Sequence, residues 1–380
     1  MNLTILDEGV IWKHRDASTK PLIAFKGHSI PLGHGEILHA MQMGTGRFTP
    51  DAHCRVTRSR DYGKTWSEPV APQLSGLAGH APTSMHFNQE PGVFRALITC
   101  DQNVAKDDPR WCKENGGWVG TTQFWCESTN GGHTWATAKP FRLPAAKGGF
   151  NVVSSPVFTL QSGDRMVVIE PMISSALAEL VHEAAVVFNR NGSDEWGNKR
   201  HMAYDPEQRT LFFDPRVARL QDGRFVALYW THDPKTDTSL RTRIGWSEDG
   251  RSWTTPKELP FWGFLSYPLP LADGRLLAVF NHRREPQGVR CVISEDAGRN
   301  WDMENEYVLW DQRIRRITGE RATESVARKW EGNILAEMGT GFTFGIPYPI
   351  QLDDGSVFVS FYATLADGVM HQRYVRVRLE

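Results

Sequence analysis

Carboxyl and guanidinium groups stand at the ends of several apolar, strand-like runs of this sequence. Glu170 closes the run VVIEP, and FFDPR places Asp214 two residues before Arg216. A further carboxyl group, Asp51, lies in the loop-like segment GRFTPDAHC, which also contains Arg47. Hydrolysis of a glycosidic bond uses one carboxyl group as proton donor and a second group as base or nucleophile. The three carboxyl groups are therefore candidates for that chemistry if the fold brings them together, and Arg47 and Arg216 are candidates for substrate binding.

Histidine, tyrosine and arginine residues in similar places are candidates for substrate binding. They are His28, His232, Tyr267, His282, Arg283 and Arg284. Arginine presents a rigid fork of donors that suits carboxylates. Taken singly, each residue could also be structural: a packed histidine, or an ion pair such as Asp214 with Arg216. We expect no metal or other cofactor, although two or more of the histidines together could ligate a metal.

A recurring turn indicates which elements position these residues. SRDYGKTW covers 59–66, STNGGHTW covers 128–135, SEDAGRNW covers 294–301, and SEDGRSW covers 247–253 with one residue fewer. A weaker copy, NRNGSDEW, ends at Trp196. Asp or Asn can accept backbone N–H groups within such a turn, Gly supplies a positive φ, and Trp folds back as an apolar lid. We interpret them as structural turns, because each has too few oxygen ligands for calcium.

The spacing of these turns predicts an all-β fold of six repeated units. Asp-Gly hairpin signals occur in LQDGRF, LADGRL and LDDGSV, each followed by an apolar, β-rich run. The units begin near His28, His80, Asn151, Asp214, Tyr267 and Tyr348. Six radial, four-stranded antiparallel sheets form a six-bladed β-propeller. The N-terminal LTILDEGVIW is predicted to complete the last blade. We expect one domain over 1–380, with a helical insertion at about 319–334.

The turn motif, its place between the third and fourth strands, and the six units together resemble the sialidase superfamily, in which the turn is called the Asp-box or BNR repeat. The resemblance covers nearly the whole chain and implies a site around the axis, on the face away from these turns. True sialidases carry Arg-Ile-Pro at the start of the first blade. Here GHSIPLGHGE has Ser29 in the arginine position, and serine cannot replace a bidentate cation. The chain is therefore not expected to be a true sialidase.

The resemblance also implies roles for particular residues. The family places a proton-donating Asp in the loop before the first BNR repeat, and Asp51 lies in that loop. Glu170 or Asp214 would then be base or nucleophile. Sialidases use a Tyr nucleophile, for which Tyr348, at the start of the last blade, is the candidate.

Three functions remain open, because the superfamily includes hydrolases, lyases and non-catalytic propellers and a fold does not decide an activity. The leading hypothesis is a glycoside hydrolase acting on a terminal sugar, and an acidic sugar is compatible with the arginines. The first alternative is a lyase that cleaves next to a uronate, with Arg neutralising the carboxylate and His or Tyr removing a proton. The second is a carbohydrate-binding propeller without activity.

Composition limits the partners and the setting. The 380 residues contain 43 Lys plus Arg and 44 Asp plus Glu. This balance gives no reason to expect a nucleic acid or a membrane as partner, so a carbohydrate is the expected partner. The N-terminal sequence shows no signal peptide, which favours a cytoplasmic location. The five cysteines lack a paired spacing, so reduced thiols are expected. The oligomeric state is left open.

Overall fold

A computed structural model describes the chain except residues 1, 16–18, 20–21, 47–48, 91–92, 102–110, 113–116, 119–120, 147–148, 174–180, 191–194, 285, 323–342 and 365–368. Arg47 and most of the segment expected to form a helical insertion, 319–334, lie outside the described residues. The described residues contain one short 3-10 helix, Met303–Asn305, and are otherwise strands and turns. None of their helical segments has the length and apolarity of a membrane span.

The strands follow one another in regular groups along the chain. The first half contains β1 (Leu3–Trp12), β2 (Ile23–Gly33), β3 (Glu36–Gly44), β4 (His53–Ser59), β5 (Pro82–Glu90), β6 (Val93–Asp101), β7 (Trp111–Cys112), β8 (Gly117–Trp118), β9 (Thr121–Ser128), β10 (Lys139–Pro140), β11 (Gly149–Val153), β12 (Phe158–Thr159), β13 (Arg165–Ile173), β14 (Glu183–Asn189) and β15 (Gly197–Tyr204). The second half contains β16 (Leu211–Arg219), β17 (Phe225–Asp233), β18 (Thr238–Ser239), β19 (Arg243–Ser247), β20 (Lys257–Glu258), β21 (Ser266–Pro270), β22 (Leu276–His282), β23 (Gly288–Ser294), β24 (Tyr307–Asp311), β25 (Phe344–Gln351), β26 (Val357–Thr364) and β27 (Met370–Leu379).

These strands form the six antiparallel blades of a β-propeller, as predicted. From the inner to the outer strand the blades are β2-β3-β4, β5-β6-β9-β10, β11-β13-β14-β15, β16-β17-β19-β20, β21-β22-β23-β24 and β25-β26-β27-β1. In the first blade a bridge between Val56 and Val70 stands where the others have a fourth strand. Leu3 pairs with Leu379, so the N-terminal strand completes the last blade and confirms that prediction. This pairing covers an edge that would otherwise be open.

The hydrophobic core consists of layers between neighbouring blades. One cluster, for example, joins Met85 and Phe87 of the second blade to Leu38 and Ala40 of the first. Equivalent clusters join each of the five remaining pairs of neighbouring blades, including the sixth blade and the first. Side chains that alternate along a strand lie on opposite faces of its sheet. Because each sheet packs against a neighbouring blade on both of its faces, successive residues of a strand are buried on alternate faces. This explains the nearly continuous apolar runs in the sequence.

The repeated turns are held by their own side chains. In 59–66 the Asp61 carboxylate accepts from the Ser59 hydroxyl at 2.8 Å and from the Thr65 N–H at 2.9 Å, and the Trp66 indole N–H donates to the Gly63 carbonyl at 2.8 Å. The contact between Ser and Asp or Asn recurs in 128–135, 247–253 and 294–301. The weaker copy ending at Trp196 lies partly outside the described residues. These turns connect third and fourth strands, away from the inner-strand starts.

Candidate active site

Side chains from all six blades form one series of contacts around the axis. We call Glu170, Asp214, Arg216, Tyr267, Tyr348, His28 and His86 the axial cluster. Six of them lie on inner strands, whereas Glu170 lies on β13, the second strand of its blade. Neighbouring members are linked by hydrogen bonds, an ion pair or ring contacts. The fold thus joins residues that are far apart in the sequence.

Glu170, Asp214 and Arg216 form the acidic part of the cluster. The backbone N–H of Asp214 donates to Glu170 Oε2 at 2.9 Å, and Arg216 Nη2 lies 3.0 Å from Asp214 Oδ1. Arg216 also donates to the Ser154 carbonyl at 3.1 Å, which fixes its guanidinium group. The Glu170 residue is 9% exposed, whereas the Asp214 side chain is 34% exposed. The cluster therefore presents one nearly buried and one accessible carboxyl group.

The surroundings of Glu170 favour its protonated form. Burial raises its pKa to about 8, and the charge of Asp214 acts in the same direction, while Arg216 and the Asp214 N–H act against it. A carboxyl group with such a pKa carries its proton at neutral pH and can act as a general acid. Because Oε2 accepts the Asp214 N–H, we infer that the proton lies on Oε1.

Aromatic rings extend the cluster from Arg216 to the first two blades. The Arg216 guanidinium carbon lies 5.1 Å from the centre of the Tyr267 ring, which contacts the Tyr348 ring edge-on at 5.2 Å. The centre of the Tyr348 ring is 3.6 Å from that of His28, and His28 is 4.9 Å from His86. Burial raises the pKa of both tyrosines. These phenols are therefore neutral and can donate hydrogen bonds to a ligand.

The two histidines of the cluster are neutral in the folded protein. Burial lowers the pKa of His28 well below its ordinary value, and His86 and Arg216 contribute; burial, Arg216 and Lys26 lower the pKa of His86 to about 3. The Phe87 N–H donates to His28 Nδ1 at 3.2 Å. A neutral imidazole that accepts at Nδ1 carries its proton at Nε2. His28 is therefore a donor at Nε2 and has no nitrogen left to take a proton.

Backbone bulges direct three members of the cluster. In β16 the pairing passes from Phe213 opposite Trp230 to Arg216 opposite Leu228, so two residues face one. The same shift precedes His28 in β2 and Tyr348 in β25. A bulge bends its strand and turns the next side chain. Two of these bulges contain a proline, in the segments DPR (214–216) and IPY (346–348).

Asp51, predicted as the proton donor, lies in the loop between β3 and β4. Its carboxylate accepts from the Thr45 N–H at 2.9 Å and from the Thr45 hydroxyl at 3.0 Å. Partial burial acts to raise its pKa, but hydrogen bonds from Thr49 and Thr45 outweigh this and lower the pKa. No contact joins Asp51 to the described members of the axial cluster. Its predicted role therefore stays a prediction, and Arg47 of the same loop lies outside the described residues.

The other predicted binding residues form a second group, between the fourth, fifth and sixth blades. Arg284 lies 4.0 Å from the Trp262 ring and donates to the Ser239 carbonyl at 3.2 Å. Arg283 lies 4.3 Å from the Phe344 ring and donates to the Phe344 carbonyl. These arginines thus have internal partners.

The two remaining predicted histidines belong to this second group. His282 Nδ1 donates to the Arg284 carbonyl at 3.0 Å, and burial lowers the pKa of His282 to about 3. His232 Nε2 lies 3.2 Å from Asp237 Oδ1. Within the described part of the chain no three His, Cys, Asp or Glu side chains are arranged to hold a metal ion.

Sequence reasoning missed His86. It expected the second unit to begin near His80, but the inner strand begins at Pro82. Met85 and Phe87 are buried between blades, so His86 between them lies on the other side of the strand. The alternation of polar and apolar residues in SMHFN was the signal that could have found it.

A cavity of about 540 Å³ adjoins the cluster on the side of the Asp-Gly turns. The final residues of β2, β5, β21 and β25 line it, and Tyr348 is common to the cavity and the axial cluster. The cluster lies nearer to the opposite face, where Glu170 stands close to the end of β13.

Comparison with protein families agrees with this architecture. The BNR repeat-like domain matches residues 110–359. Since this is more than half of the chain, the protein belongs to that family, as the turn motif predicted. A search of curated protein sequences gives no significant match.

Solved structures with the same fold include enzymes that act on sugars. A protein of unknown function from Dyadobacter fermentans superposes with a TM-score of 0.70 at 18% identity, over 100% of both chains. The α-L-arabinanase of Penicillium chrysogenum, complexed with arabinobiose, gives 0.62 at 14% identity, over 99% of this chain and 98% of that one. The NanB sialidase of Streptococcus pneumoniae gives a TM-score of 0.57 at 13% identity, over 97% of this chain and 70% of that one. At these identities the likeness shows the fold alone.

Proposed function

We propose that this protein is a glycoside hydrolase acting on a terminal sugar, with Glu170 as proton donor. The observation that carries the proposal is the pairing of a buried carboxyl group, whose pKa is raised to about 8, with a second carboxylate that forms an ion pair. Enzymes that cleave glycosidic bonds use two carboxyl groups whose surroundings give them different tasks. The arabinanase and the sialidase of similar fold are consistent with this chemistry.

Each carboxyl group has a distinct role in this proposal. Glu170 Oε1 gives its proton to the glycosidic oxygen as the bond to the anomeric carbon breaks. Asp214 either attacks the anomeric carbon or takes a proton from the attacking water. The separation of the two carboxyl groups in the complex with substrate decides between these routes. Arg216 holds the Asp214 carboxylate in place through their 3.0 Å ion pair.

This assignment differs from the roles suggested by family resemblance. Asp51 has its carboxylate stabilised by hydrogen bonds, which suits a proton donor less well than Glu170. Tyr348 would need a base to become a nucleophile. Its ring neighbours include Tyr267 and His28, and His28 lacks a free acceptor nitrogen.

The donors of the cluster suit a sugar rich in acceptor oxygens, and an acidic sugar in particular. His28 Nε2, the tyrosine hydroxyls and Arg216 all present N–H or O–H groups. The positive charges of Arg216 and Lys26 both act on His86. An anionic group bound beside these side chains would be favoured over a cationic one.

The test uses aryl and alkyl glycosides of neutral sugars and of uronic acids. With a substrate cleaved by the wild type, we expect Glu170→Gln to lower kcat/KM by about 10²–10⁴ for an alkyl glycoside. The loss should be much smaller for a dinitrophenyl glycoside, whose leaving group needs no proton. Asp214→Asn should reduce both rates. Glu183→Gln is the matched control, because this carboxylate pairs with Lys199 on the next strand, outside the cluster.

Other outcomes would contradict the proposal. A product with a new carbon–carbon double bond, absorbing in the near ultraviolet, would identify the lyase. Sugar binding without any turnover would identify a carbohydrate-binding propeller. If Glu170→Gln lowered kcat/KM equally for the alkyl and the dinitrophenyl glycoside, Glu170 would not be the proton donor.

A further inference from the structure

The three inner strands whose bulges precede His28, Arg216 and Tyr348 share an unusual backbone conformation. In each, the first of the two residues that face a single partner residue has a positive φ: Lys26 at 49°, Asp214 at 47° and Ile346 at 48°. The members of the axial cluster stand two residues later, at His28, Arg216 and Tyr348. Glycine adopts positive φ at no steric cost, and Asp tolerates it, but a β-branched residue such as isoleucine rarely does. Of these three residues, Ile346 is therefore the one for which a positive φ is least favourable.

Packing explains how Ile346 is kept in this conformation. Its side chain packs against the cluster formed by Phe25, Tyr362 and Met370. The rings of Phe25 and Tyr362 meet edge-on at 4.9 Å. Strained residues persist only where their surroundings over-determine them, and they concentrate at functional sites.

The same apolar cluster adjoins two of the bulges. Phe25 directly precedes Lys26, the positive-φ residue of β2, and Ile346 is the equivalent residue of β25. Beyond these bulges, the rings of Tyr348 and His28 are in contact, with centres 3.6 Å apart and planes tilted by 39°. The two bulges therefore lie between an apolar cluster that Ile346 and Phe25 share and the ring contact of Tyr348 with His28.

We propose that Ile346 is a positioning residue of the axial site: its packing against the cluster of Phe25, Tyr362 and Met370 holds the β25 bulge that places Tyr348 against His28. The isoleucine need not touch a substrate. It acts through Tyr348, which forms part of the surface beside Glu170 and Arg216. Its importance for catalysis rests on the proposed glycosidase function, but the placement of Tyr348 does not, and can be measured separately.

The experiment observes His28 by NMR in protein labelled at histidine Cε1. His28→Gln assigns the signal among the 13 histidines. Tyr348→Leu gives the chemical shift of His28 without the neighbouring aromatic ring. Ile346→Gly retains access to positive φ but loses the packing, so we expect the His28 signal to move at least half of the way to its position in Tyr348→Leu. Ile346→Val keeps a β-branched side chain and should restore the wild-type position.

Two further variants make the result decisive. Phe25→Leu removes a ring from the cluster on which Ile346 packs and should move the His28 signal in the same direction, even if Ile346→Gly does not fold. Ile293→Ala alters a buried residue of β23, in the fifth blade, where its pairing with β22 is regular, and should leave the signal unchanged. A wild-type His28 signal in folded Ile346→Gly, or in Phe25→Leu, would overturn the proposal. Because no substrate is used, failure here is distinguishable from absence of glycosidase activity.

Discussion

Replacing Glu170 with glutamine is expected to change how the stability of the protein depends on pH. In the folded protein the pKa of Glu170 is raised to about 8, mainly by burial, against an ordinary value of 4.5. The folded state therefore binds the proton more tightly than the unfolded chain does. The resulting stability is complete below the unfolded pKa and is lost as pH rises towards the folded value.

The magnitude follows from the two pKa values. At about 1.4 kcal/mol per pKa unit, deprotonation of Glu170 should lower the free energy of unfolding by about 4 kcal/mol between pH 5 and pH 9. Glutamine cannot ionise, so Glu170→Gln lacks this loss. The difference in stability between variant and wild type should thus move by about 4 kcal/mol in favour of the variant over that range.

Urea unfolding followed by tryptophan fluorescence at several pH values measures this difference. Comparing the variant with the wild type at each pH cancels the titration of other groups. Glu183→Gln is the control, since it removes a carboxylate that forms an ion pair with Lys199, and it should show no gain at high pH. Parallel stability curves for wild type and Glu170→Gln would refute the inference that Glu170 is held protonated.

Three further predictions address the site, the turns and the thiols. Tyr348→Phe should keep kcat within a few-fold of wild type on any substrate found, whereas a nucleophile role would require a loss of about 10³-fold or more. Asp296→Ala removes a carboxylate that accepts from the Ser294 hydroxyl at 2.8 Å and from the Asn300 N–H at 2.8 Å. The free energy of unfolding, measured in urea, should fall by about 1–2 kcal/mol. An unchanged free energy of unfolding would show that this turn does not stabilise the fold. In Cys112→Ser, a thiol reagent at pH 8 should find no reactive group before denaturation, because burial raises the pKa of Cys54 and Cys126 to about 12. Rapid native reaction would contradict the buried positions of the remaining cysteines, Cys54, Cys100, Cys126 and Cys291.

The sequence carried enough local information to predict the blades. Turns such as SEDAGRNW and Asp-Gly hairpins depend on neighbouring residues, and their order along the chain implies repeated antiparallel sheets. The completion of the last blade by LTILDEGVIW also followed, because an unpaired strand edge is unfavourable. Glu170, Asp214 and Arg216 were recognisable as candidates because charge at the end of an apolar strand needs a partner or a function.

Which of the candidates meet was decided only by the tertiary structure. Asp51 and Glu170 have the same functional group, but the Asp51 carboxylate is stabilised by Thr45 and Thr49, whereas Glu170 is buried beside Asp214. His86 was missed, and the segment IPY at Ile346 does not by itself predict a bulge, although it is compatible with one. A pKa and a backbone bulge depend on neighbours brought close by long-range pairing, and spacing along the chain does not specify those neighbours.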